Sequence, residues 1–177
     1  MRLLKSTVHA DIAQLTADEL AAKSFHRQAA RGIILKGEEI LMLYTERYHD
    51  YSIPGGGVDE GEDIRCGLIR ELEEETGAKN IEVISEFGRY EEFRPWNREG
   101  FEVVHMDSFC FVCDIHAELG ETRLEAHEIQ NGMTPVWINI HQAIAHNEHT
   151  MAHSPKKGMS IERETFLLKQ IVAELLK

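Results

Sequence analysis

The stretch GGGVDEGEDIRCGLIRELEEETGA, residues 55–78, decides the fold of this chain, because it joins a glycine-rich segment to a strongly acidic one. The acidic part, RELEEETGA, places four glutamates within nine residues and then reaches Gly77. Glycine commonly ends helices, so the pattern predicts a helix from Asp63 to about Thr76. The chemistry of the segment depends on whether these glutamates face the solvent or the core.

Helical geometry places two of the glutamates on the apolar side of this helix. With Glu71 set at zero and about 100° between successive residues, Ile64 lies at roughly 20° and Leu68 at roughly 60°. On the same scale Glu75 lies at roughly 40°, and Glu74 flanks the stripe at about −60°. A helix with a purely solvated acidic face would carry its glutamates opposite the apolar residues.

Inward-facing carboxylates are costly unless they are used. Carboxylates one helical turn apart repel each other, and partial burial adds to that cost. A hard divalent cation such as Mg²⁺ lets such a cluster stay ionised, because these ions prefer carboxylate and water oxygens. The geometry alone leaves two interpretations open, a metal site and a salt-bridged surface.

The segment before the helix, IPGGGVDEGED at 53–63, is suited to a close approach between backbone and ligand. It contains four glycines in eleven residues, and Gly55, Gly56 and Gly57 permit backbone geometries closed to other residues. It is not a Walker loop, because no Gly-Lys-Ser/Thr follows. It is not a dinucleotide fingerprint, because Glu60 stands where a glycine is required. A purely structural turn is the alternative.

Taken together, residues 56–78 resemble the signature of the Nudix hydrolase family, G-x5-E-x7-R-E-U-x-E-E-x-G-U, in which U is a bulky aliphatic residue. The match consists of Gly56, Glu62 and the run from Arg70 to Ala78 at the required spacings. Every polar and glycine position agrees, and only Ala78 is smaller than usual. The flanking hairpin and the segment MTPVWI are also similar to the family's arrangement, so the resemblance covers about residues 29–145.

This resemblance implies an α/β/α sandwich with a mixed β-sheet, of the α+β class. It also implies hydrolysis of a diphosphate bond in a nucleoside diphosphate joined to another group, with Mg²⁺ or Mn²⁺ as cofactor. Glu71, Glu74 and Glu75 are the implied metal ligands. Ions held there polarise phosphoryl oxygens and lower the pKa of the attacking water.

A general base must also accept a proton from the attacking water. Glu71 is the first candidate for this role, Glu128 in the segment EAHEIQNG is the second, and Glu125 is the third. Arg70 lies near Glu74 on the helix surface, so we expect it to orient that carboxylate.

Substrate contacts are expected from the glycines at 55–57 and from a nearby base. Arg47 is the best candidate, because it leads from a strand towards the glycine loop. Phe93 or Trp96 could stack on a nucleobase, with simple packing as the alternative. Other bases considered, each of which is individually more typical of a solvated surface, are Arg31, Arg94, Lys156 and Lys157.

Nothing in the sequence selects among nucleoside triphosphates, nucleotide sugars including ADP-ribose, and dinucleoside polyphosphates. Two further interpretations remain. The first is a nucleotide-sensing Nudix domain without catalysis, although such domains typically lose the box glutamates that this chain keeps. The second is an acidic interaction module with a structural metal, which leaves the glycine loop unexplained.

Outside the signature, strands and helices mix without a regular βαβ repeat, which favours a mixed sheet covered by helices. Residues 1–28 are interpreted as an N-terminal arm that could contact a second subunit, and 29–177 as the Nudix domain with a C-terminal helix at 160–176. The predicted elements are a strand at 2–8, a helix opened by Thr16 and Glu19, a hairpin of strands at 29–35 and 39–45, strands at 81–93 and 101–115, an acidic loop at 117–131, a strand at 134–140, a short helix at 141–147 and a last helix whose apolar stripe is Ile161, Leu168, Val172 and Leu175.

The composition limits the classes of partner. The chain has 177 residues and a net charge of −12, from 31 acidic and 19 basic residues, which argues against duplex nucleic acid. No apolar run approaches the ~20 residues of a membrane helix, and the N-terminus does not look like a secretory signal. Three cysteines do not indicate a disulfide framework, so we expect a cytoplasmic, reducing location.

Two side-chain groups outside the signature invite a metal interpretation. Cys110 and Cys113 have C-x2-C spacing, but residues three apart on a strand face opposite sides, so we expect both to pack as apolar residues. His146, His149 and His153 could share one helical face as metal ligands. A polar loop is the favoured interpretation, because no fourth ligand lies nearby in the sequence.

Overall fold

The computed structural model describes residues 1–98, 100–116 and 118–176. Positions 99, 117 and 177 lie outside the described residues. Position 99 falls in RPWNREG (94–100), which the sequence predicts as the turn between the strands at 81–93 and 101–115, position 117 opens the predicted acidic loop, and position 177 ends the predicted domain. The strands are β1 Leu3–Val8, β2 Ser24–Lys36, β3 Glu39–Thr45, β4 Asp50–Ser52, β5 Ile81–Pro95, β6 Val103–Ile115 and β7 Met133–Asn139. The helices are α1 Ala17–Lys23, α2 Ile64–Thr76, α3 Ala126–Asn131, α4 Ile140–His153 and α5 Ile161–Leu175, with a 3-10 turn at Ala10–Ile12.

The mixed sheet is organised around β2. This strand pairs in parallel with β6 and turns at Gly37 into an antiparallel hairpin with β3. β5 runs antiparallel to β6, and β1 runs parallel to β5. The strand order is β1-β5-β6-β2-β3-β4, with β7 also paired to β3. The expected mixed sheet and the hairpin are therefore confirmed.

Helices cover both faces of this sheet. On one face α2 contributes Leu68 and Leu72 to a core that includes Ile34. On the other face α5 contributes Leu168 to a core that includes Ile33, with residues of α4 alongside. Ile33 and Ile34 enter different cores because successive strand residues point to opposite faces. The expected α/β/α sandwich is confirmed.

The two cysteines of β6 follow the same alternation. Cys110 belongs to the core beneath α5 and Cys113 to the core beneath α2. Burial raises the pKa of both thiols to about 12. Both are buried apolar side chains on opposite faces of the sheet, which confirms the packing prediction.

The acidic helix α2 has the ends that its sequence predicts. The Asp63 carboxylate accepts hydrogen bonds from the backbone N–H groups of Arg65 and Cys66, at 3.0 and 3.1 Å. Gly77 ends the helix in the left-handed conformation, with φ of 70°. The Asp63 side chain at the start of the helix and the left-handed Gly77 at its end both satisfy backbone groups that would otherwise be unpaired.

The predicted loop at 117–131 is wrong for its last six residues, which form the short helix α3. Its start is a reciprocal cap, in which the Glu125 N–H donates to Glu128 Oε2 at 2.7 Å. Gly132 ends it in the left-handed conformation, with φ of 68°. A six-residue helix lacks the apolar periodicity on which sequence-based prediction relies, so its acidic composition looked like a loop.

The predicted short helix at 141–147 is also wrong, because α4 continues to His153. Its second half carries polar residues that bond the backbone next to β4. The Asn147 amide donates to Tyr51 O at 2.9 Å, and the Thr150 hydroxyl donates to His49 O at 2.7 Å. The histidine run is therefore helical rather than a polar loop. Its members are absent from the cluster of potential metal ligands found among the described residues.

The C-terminal helix α5 differs slightly from the predicted stripe. Ile161 and Leu168 are buried and Val172 packs at the edge of the core, as expected. Leu175 is exposed, and Ile171 takes the next buried position instead. The face that α5 turns to the sheet drifts around the helix, because 3.6 residues per turn do not keep a seven-residue spacing aligned.

The first residues of the chain join the sheet. β1 pairs with β5, and α1 starts with the expected capping pair, in which the Glu19 N–H donates to Thr16 Oγ1 at 3.2 Å. β2 begins at Ser24 and so crosses the predicted domain boundary at 28/29. The boundary and the contact with a second subunit stay predictions. In the described part of the chain, no helix combines the length and the apolar character needed to cross a bilayer.

Candidate active site

The glycine loop is fixed along the free edge of β2. Ala30 N–H donates to Gly56 O at 3.0 Å, and Gly32 N–H donates to Pro54 O at 2.9 Å. The Val58 N–H donates back to β2 through the carbonyl of Gln28, at 3.0 Å. These strand-like bonds place the loop between β2 and the acidic face of α2.

Two glycines are required by close contacts. Gly55 has φ of 130°, and a Cβ there would lie 2.0 Å from Ala30 O. A Cβ on Gly56 would lie 2.4 Å from Glu71 Oε2, so the carboxylate rests directly on the loop backbone. Only glycine leaves room for both contacts.

Glu75 is the most deeply buried glutamate of α2. Its relative exposure is 4%, and its Oε2 accepts the Gly55 N–H at 2.6 Å. Burial raises the pKa of the Glu75 carboxyl well above its usual range, against the lowering effect of this hydrogen bond. Repulsion from Glu128 and Glu71 raises it further. The inward direction predicted for Glu75 is confirmed.

Glu71 and Glu74 are progressively more open. The side-chain exposures are 13% for Glu71 and 29% for Glu74, in the order that the helical angles predict. Glu71 Oε1 accepts Arg70 Nη1 at 2.6 Å. Burial is the main cause that raises the pKa of the Glu71 carboxyl, and the Arg70 guanidinium opposes it.

Arg70 joins the helix to the loop. Its Nε and Nη2 donate to the two oxygens of Glu62, both at 3.0 Å, and Nη2 also donates to Gly57 O at 3.1 Å. These bonds lower the pKa of Glu62 to about 2. Arg70 Nη1 is 3.7 Å from Glu74 Oε2, farther than from Glu71. Arg70 therefore orients Glu62 and Glu71 more directly than the expected Glu74.

A second acidic wall comes from α3, which sequence reasoning had placed in a loop. Glu128 is buried, and its Oε2 accepts the Glu125 N–H. The charge of Glu128 raises the pKa of both Glu71 and Glu75, so the three carboxylates repel one another. Both candidates for the alternative base, Glu125 and Glu128, thus face the same cavity as α2.

These groups surround an open cavity of about 560 Å³. It brings together most of the predicted site residues, but Glu74 and Arg47 are not in its lining. Arg47 Nη1 instead donates to Asn131 Oδ1 at 3.1 Å, beside the end of α3. The lining consists of Arg27, Ala29, Arg31, Gly55, Gly56, Gly57, Val58, Asp59, Glu60, Arg70, Glu71, Glu75, Met106, Glu125, His127, Glu128 and Met133.

Besides Arg70 of α2, the cavity lining contains two arginines of β2, Arg27 and Arg31. Arg31 was one of the weaker candidates, and Arg27 was missed. Arg31 Nη1 donates to Gly55 O at 2.5 Å, while its buried Nε has no hydrogen-bond partner among the described residues. Arg27 lies against Gly57, whose Cβ would be 3.0 Å from Nη2. The alternation Arg27, Ala29, Arg31 on one strand face was the available signal.

The other candidates for substrate contact do not line this cavity. Phe93 stacks on His105 with ring centroids 4.3 Å apart, and Trp96 packs against Phe25 at 5.2 Å. Arg94 is largely buried beside Glu92, at 3.4 Å. Lys156 and Lys157 follow α4 and are not in the cavity lining.

Comparison with known proteins agrees with this arrangement. A family model of the NUDIX domain matches residues 26–159. The chain belongs to the Nudix hydrolase family. The RNA pyrophosphohydrolase of Pelagibacter ubique (strain HTCC1062) is 56% identical over 59 residues, which are 31% of this chain and 37% of that protein. Nudix hydrolase 6 of Arabidopsis thaliana is 29% identical over 134 residues, which are 71% of this chain and 43% of that protein.

This Nudix chain therefore spans less than half the length of these curated relatives. Among solved structures, a NUDIX hydrolase from Nitrosomonas europaea superposes with a TM-score of 0.58 at 16% identity, covering 84% of this chain and 90% of that one. The E. coli ORF135 protein superposes with a TM-score of 0.51 at 17% identity, covering 88% and 98%. At these identities the likeness shows a shared fold.

The donor set of the Nudix helix suits a hard divalent metal. Glu71, Glu74 and Glu75 offer carboxylate oxygens and no nitrogen or sulfur, which is the preference of Mg²⁺ and Mn²⁺. The buried Glu75 carboxylate has a backbone N–H as its hydrogen-bond donor, and Glu128 adds further negative charge. A cation among these oxygens would relieve a repulsion that the protein alone leaves in place.

Proposed function

We propose that this Nudix protein is a pyrophosphohydrolase that uses Mg²⁺ or Mn²⁺ to hydrolyse a diphosphate bond in a nucleoside diphosphate linked to another group. The observation that carries the proposal is the composition of one cavity. Glu71 and Glu75 form one wall, with Glu74 just outside, and Arg27 and Arg31 stand on β2 beside the glycine loop. Carboxylates for metal and guanidinium groups for phosphate are the two requirements of phosphoryl transfer.

The residues of the chain position the reactants. Arg27 and Arg31 line the cavity and carry the positive charge that attracts a diphosphate. Arg70 fixes Glu71 and ties Glu62 to the loop, so the carboxylates are placed before substrate binds. When bound, the metal supplies charge stabilisation at the phosphoryl oxygens and lowers the pKa of the attacking water.

The general base is proposed to be Glu71, with Glu128 as the alternative. Burial raises the pKa of the Glu71 carboxyl above its usual range, which makes it a stronger proton acceptor than an exposed carboxylate. Glu128 is buried in the same cavity but is held by the Glu125 N–H at one oxygen. A Glu128→Gln variant that loses turnover while binding Mn²⁺ normally would transfer the role to Glu128. Full activity in that variant would leave it with Glu71.

The substrate class is proposed to include nucleoside triphosphates, nucleotide sugars such as ADP-ribose, and dinucleoside polyphosphates. The name of the Pelagibacter ubique relative, an RNA pyrophosphohydrolase, adds RNA to the compounds worth testing. An acidic chain would contact such an RNA at its phosphorylated end rather than along a duplex, because its net charge is −12. A panel of these compounds with Mg²⁺ and Mn²⁺ would identify the class.

The site assignment is tested by matched substitutions within α2. We expect Glu71→Gln and Glu75→Gln to reduce kcat/KM by at least about 10²-fold on the best substrate of the panel, since each removes a carboxylate from the cavity. Glu73→Gln is the control, because it makes the same change in charge on the opposite side of the helix. Equal activity in Glu71→Gln, Glu75→Gln and Glu73→Gln would contradict the assignment.

The alternative function is nucleotide sensing without catalysis. Retention of all four box glutamates, Glu62, Glu71, Glu74 and Glu75, favours the enzyme. Calorimetric binding of a panel nucleotide with no turnover under Mg²⁺ or Mn²⁺ would favour the sensor, whereas turnover that depends on the metal supports the hydrolase.

A further inference from the structure

We propose that His26, His105 and Asp107 form a separate binding site for a divalent transition metal such as Zn²⁺. The three side chains come from β2 and β6, outside the cavity described above. Their candidate ligand atoms, two imidazole nitrogens and a carboxylate oxygen, all lie within 4.8 Å of one another. Imidazole with carboxylate suits Zn²⁺, whereas the all-carboxylate cavity suits Mg²⁺.

The distances match the span of a small coordination sphere. His26 Nε2 is 2.7 Å from Asp107 Oδ2, and His105 Nε2 is 3.9 Å from the same oxygen. In tetrahedral coordination, metal–ligand bonds of about 2.0–2.1 Å place neighbouring ligand atoms about 3.3 Å apart. The observed separations lie on either side of that value. Each of these two separations differs from that value by about 0.6 Å.

The carboxylates around the histidines are each held by an outer partner at one oxygen. Arg89 Nη1 donates to Asp107 Oδ1 at 2.6 Å, which leaves Oδ2 for the imidazoles. Ser6 Oγ donates to Glu91 Oε2 at 2.7 Å, which leaves Oε1 at 2.9 Å from His105 Nε2. Outer hydrogen bonds of this kind fix the orientation of metal-ligating carboxylates. The three clustered side chains leave the fourth position of a tetrahedral ion to a water molecule.

The sheet supplies rigidity and the surface supplies access. His26 and His105 are directly paired residues of neighbouring parallel strands, and Asp107 lies two residues further along β6 on the same face. The ring centroids of His26 and His105 are 4.7 Å apart. Asp107 is buried while His26 is half-exposed, so an ion can reach the ligands from the solvent without opening the fold.

This site is independent of the catalytic cavity. Arg27 and Met106 alternate with the proposed ligands along β2 and β6, and they line the cavity on the opposite face. Zn²⁺ binding should therefore persist when the cavity is occupied by Mg²⁺. A failure of the proposed hydrolase activity would leave this inference untouched.

The inference is tested by isothermal titration calorimetry. Zn²⁺ is the only titrant, and the protein is in a buffer with millimolar Mg²⁺. We expect one strong site in the wild-type protein. Because each variant removes one ligand, His26→Asn and His105→Asn should weaken it at least about tenfold. The control is His116→Asn. His116 Nε2 also contacts a carboxylate, Glu82 Oε2 at 3.1 Å, but this contact involves one histidine instead of two.

A second measurement uses the wild-type protein and does not depend on how the variants fold. Crystals grown with Zn²⁺ should show an anomalous peak at the zinc edge between His26, His105 and Asp107. A peak only among the glutamates of α2, or equal Zn²⁺ affinity in the wild-type protein and both histidine variants, would overturn the proposal. Absence of any Zn²⁺ binding would overturn it as well.

Discussion

At the scale of single residues, the contact between Gly56 and Glu71 shows how a loop sets the position of a candidate metal ligand. One Glu71 oxygen lies against the Gly56 backbone, and the other accepts Arg70 Nη1 at 2.6 Å. The carboxylate is therefore confined between backbone and guanidinium before any ligand arrives. Such confinement reduces the reorganisation needed for catalysis.

Gly56→Ala should separate the effect on activity from the effect on folding. Gly56 does not have a left-handed φ, so alanine suits its backbone, but the new Cβ would lie 2.4 Å from Glu71 Oε2. The carboxylate must move, and a displacement of about 1 Å typically costs about 10²-fold in rate. We expect kcat/KM to fall by about that factor with a small change in Tm.

Gly158→Ala is the control for Gly56→Ala, because its Cβ would meet Tyr48 at an ordinary 3.4 Å, away from the cavity. Activity in Gly56→Ala equal to that in Gly158→Ala would contradict the confinement of Glu71. Steady-state kinetics on the best panel substrate and a thermal melt of both variants are sufficient.

Single residues also show how far the sequence can predict the site. The inward direction of Glu71 and Glu75 follows from helical angles, which are local and regular. The arginines of the cavity could not be predicted in the same way. Arg47 is the candidate nearest to the glycine loop in sequence, but its side chain donates to Asn131, whereas Arg27 and Arg31 line the cavity. Which residues of β2 meet the loop depends on register between segments distant in sequence, and no local pattern encodes it.

At the scale of elements, α2 is determined by local sequence patterns, whereas α3 and the second half of α4 are not. α2 has a capping aspartate, an apolar stripe and a terminal glycine, so its bounds were predicted almost to the residue. The second half of α4 is helical because Asn147 and Thr150 bond the backbone near β4. Those contacts are tertiary, and the sequence HNEHTMAH is mostly polar, with Met151 and Ala152 as its apolar residues.

A buried ionic network ties α5 to the rest of the fold. Arg163 Nη1 donates to Glu92 Oε2 on β5 at 2.5 Å, and Nη2 donates to Glu164 Oε1 at 2.7 Å. The other Glu164 oxygen accepts the Ile53 N–H at 2.9 Å, just before the glycine loop. One guanidinium thus compensates two buried carboxylates, and one of them also holds the start of the loop.

Removing this guanidinium should destabilise the protein strongly. Arg163→Met leaves Glu164 buried without its guanidinium partner and leaves Glu92 with Arg94 alone, and breaking a buried pair typically costs about 3–5 kcal/mol. The measurement is the free energy of unfolding in denaturant at neutral pH. Lys169→Met is the control, because Lys169 pairs with Glu148 on the surface and exposed pairs contribute under about 1 kcal/mol. Equal losses in the two variants would contradict a stabilising role for the buried network.

At the scale of the whole molecule, Asp50 couples stability to pH. It lies at the start of β4 and is buried, with Glu164 and Arg163 as the charged groups that act on it. Burial is the main cause that raises its pKa from 3.8 to about 6, and repulsion from Glu164 adds to it, while Arg163 opposes both. The folded state therefore binds the Asp50 proton more tightly than the unfolded chain does.

The sign of this coupling predicts the behaviour of Asp50→Asn. Because the folded-state pKa is raised, ionisation of Asp50 destabilises the fold progressively between pH 4 and 6, and the full cost persists above about pH 6. A shift of about two pKa units corresponds to about 3 kcal/mol.

Asparagine resembles the neutral acid, so Asp50→Asn should have a larger free energy of unfolding than the wild-type protein at pH 8. This difference should shrink to a fraction of its value near pH 4. Denaturant unfolding of both proteins at the two pH values measures the difference, and Asp114→Asn, on an exposed residue, controls for the change in net charge. An Asp50→Asn advantage that is equal at pH 4 and pH 8 would show that ionisation of Asp50 is not its source.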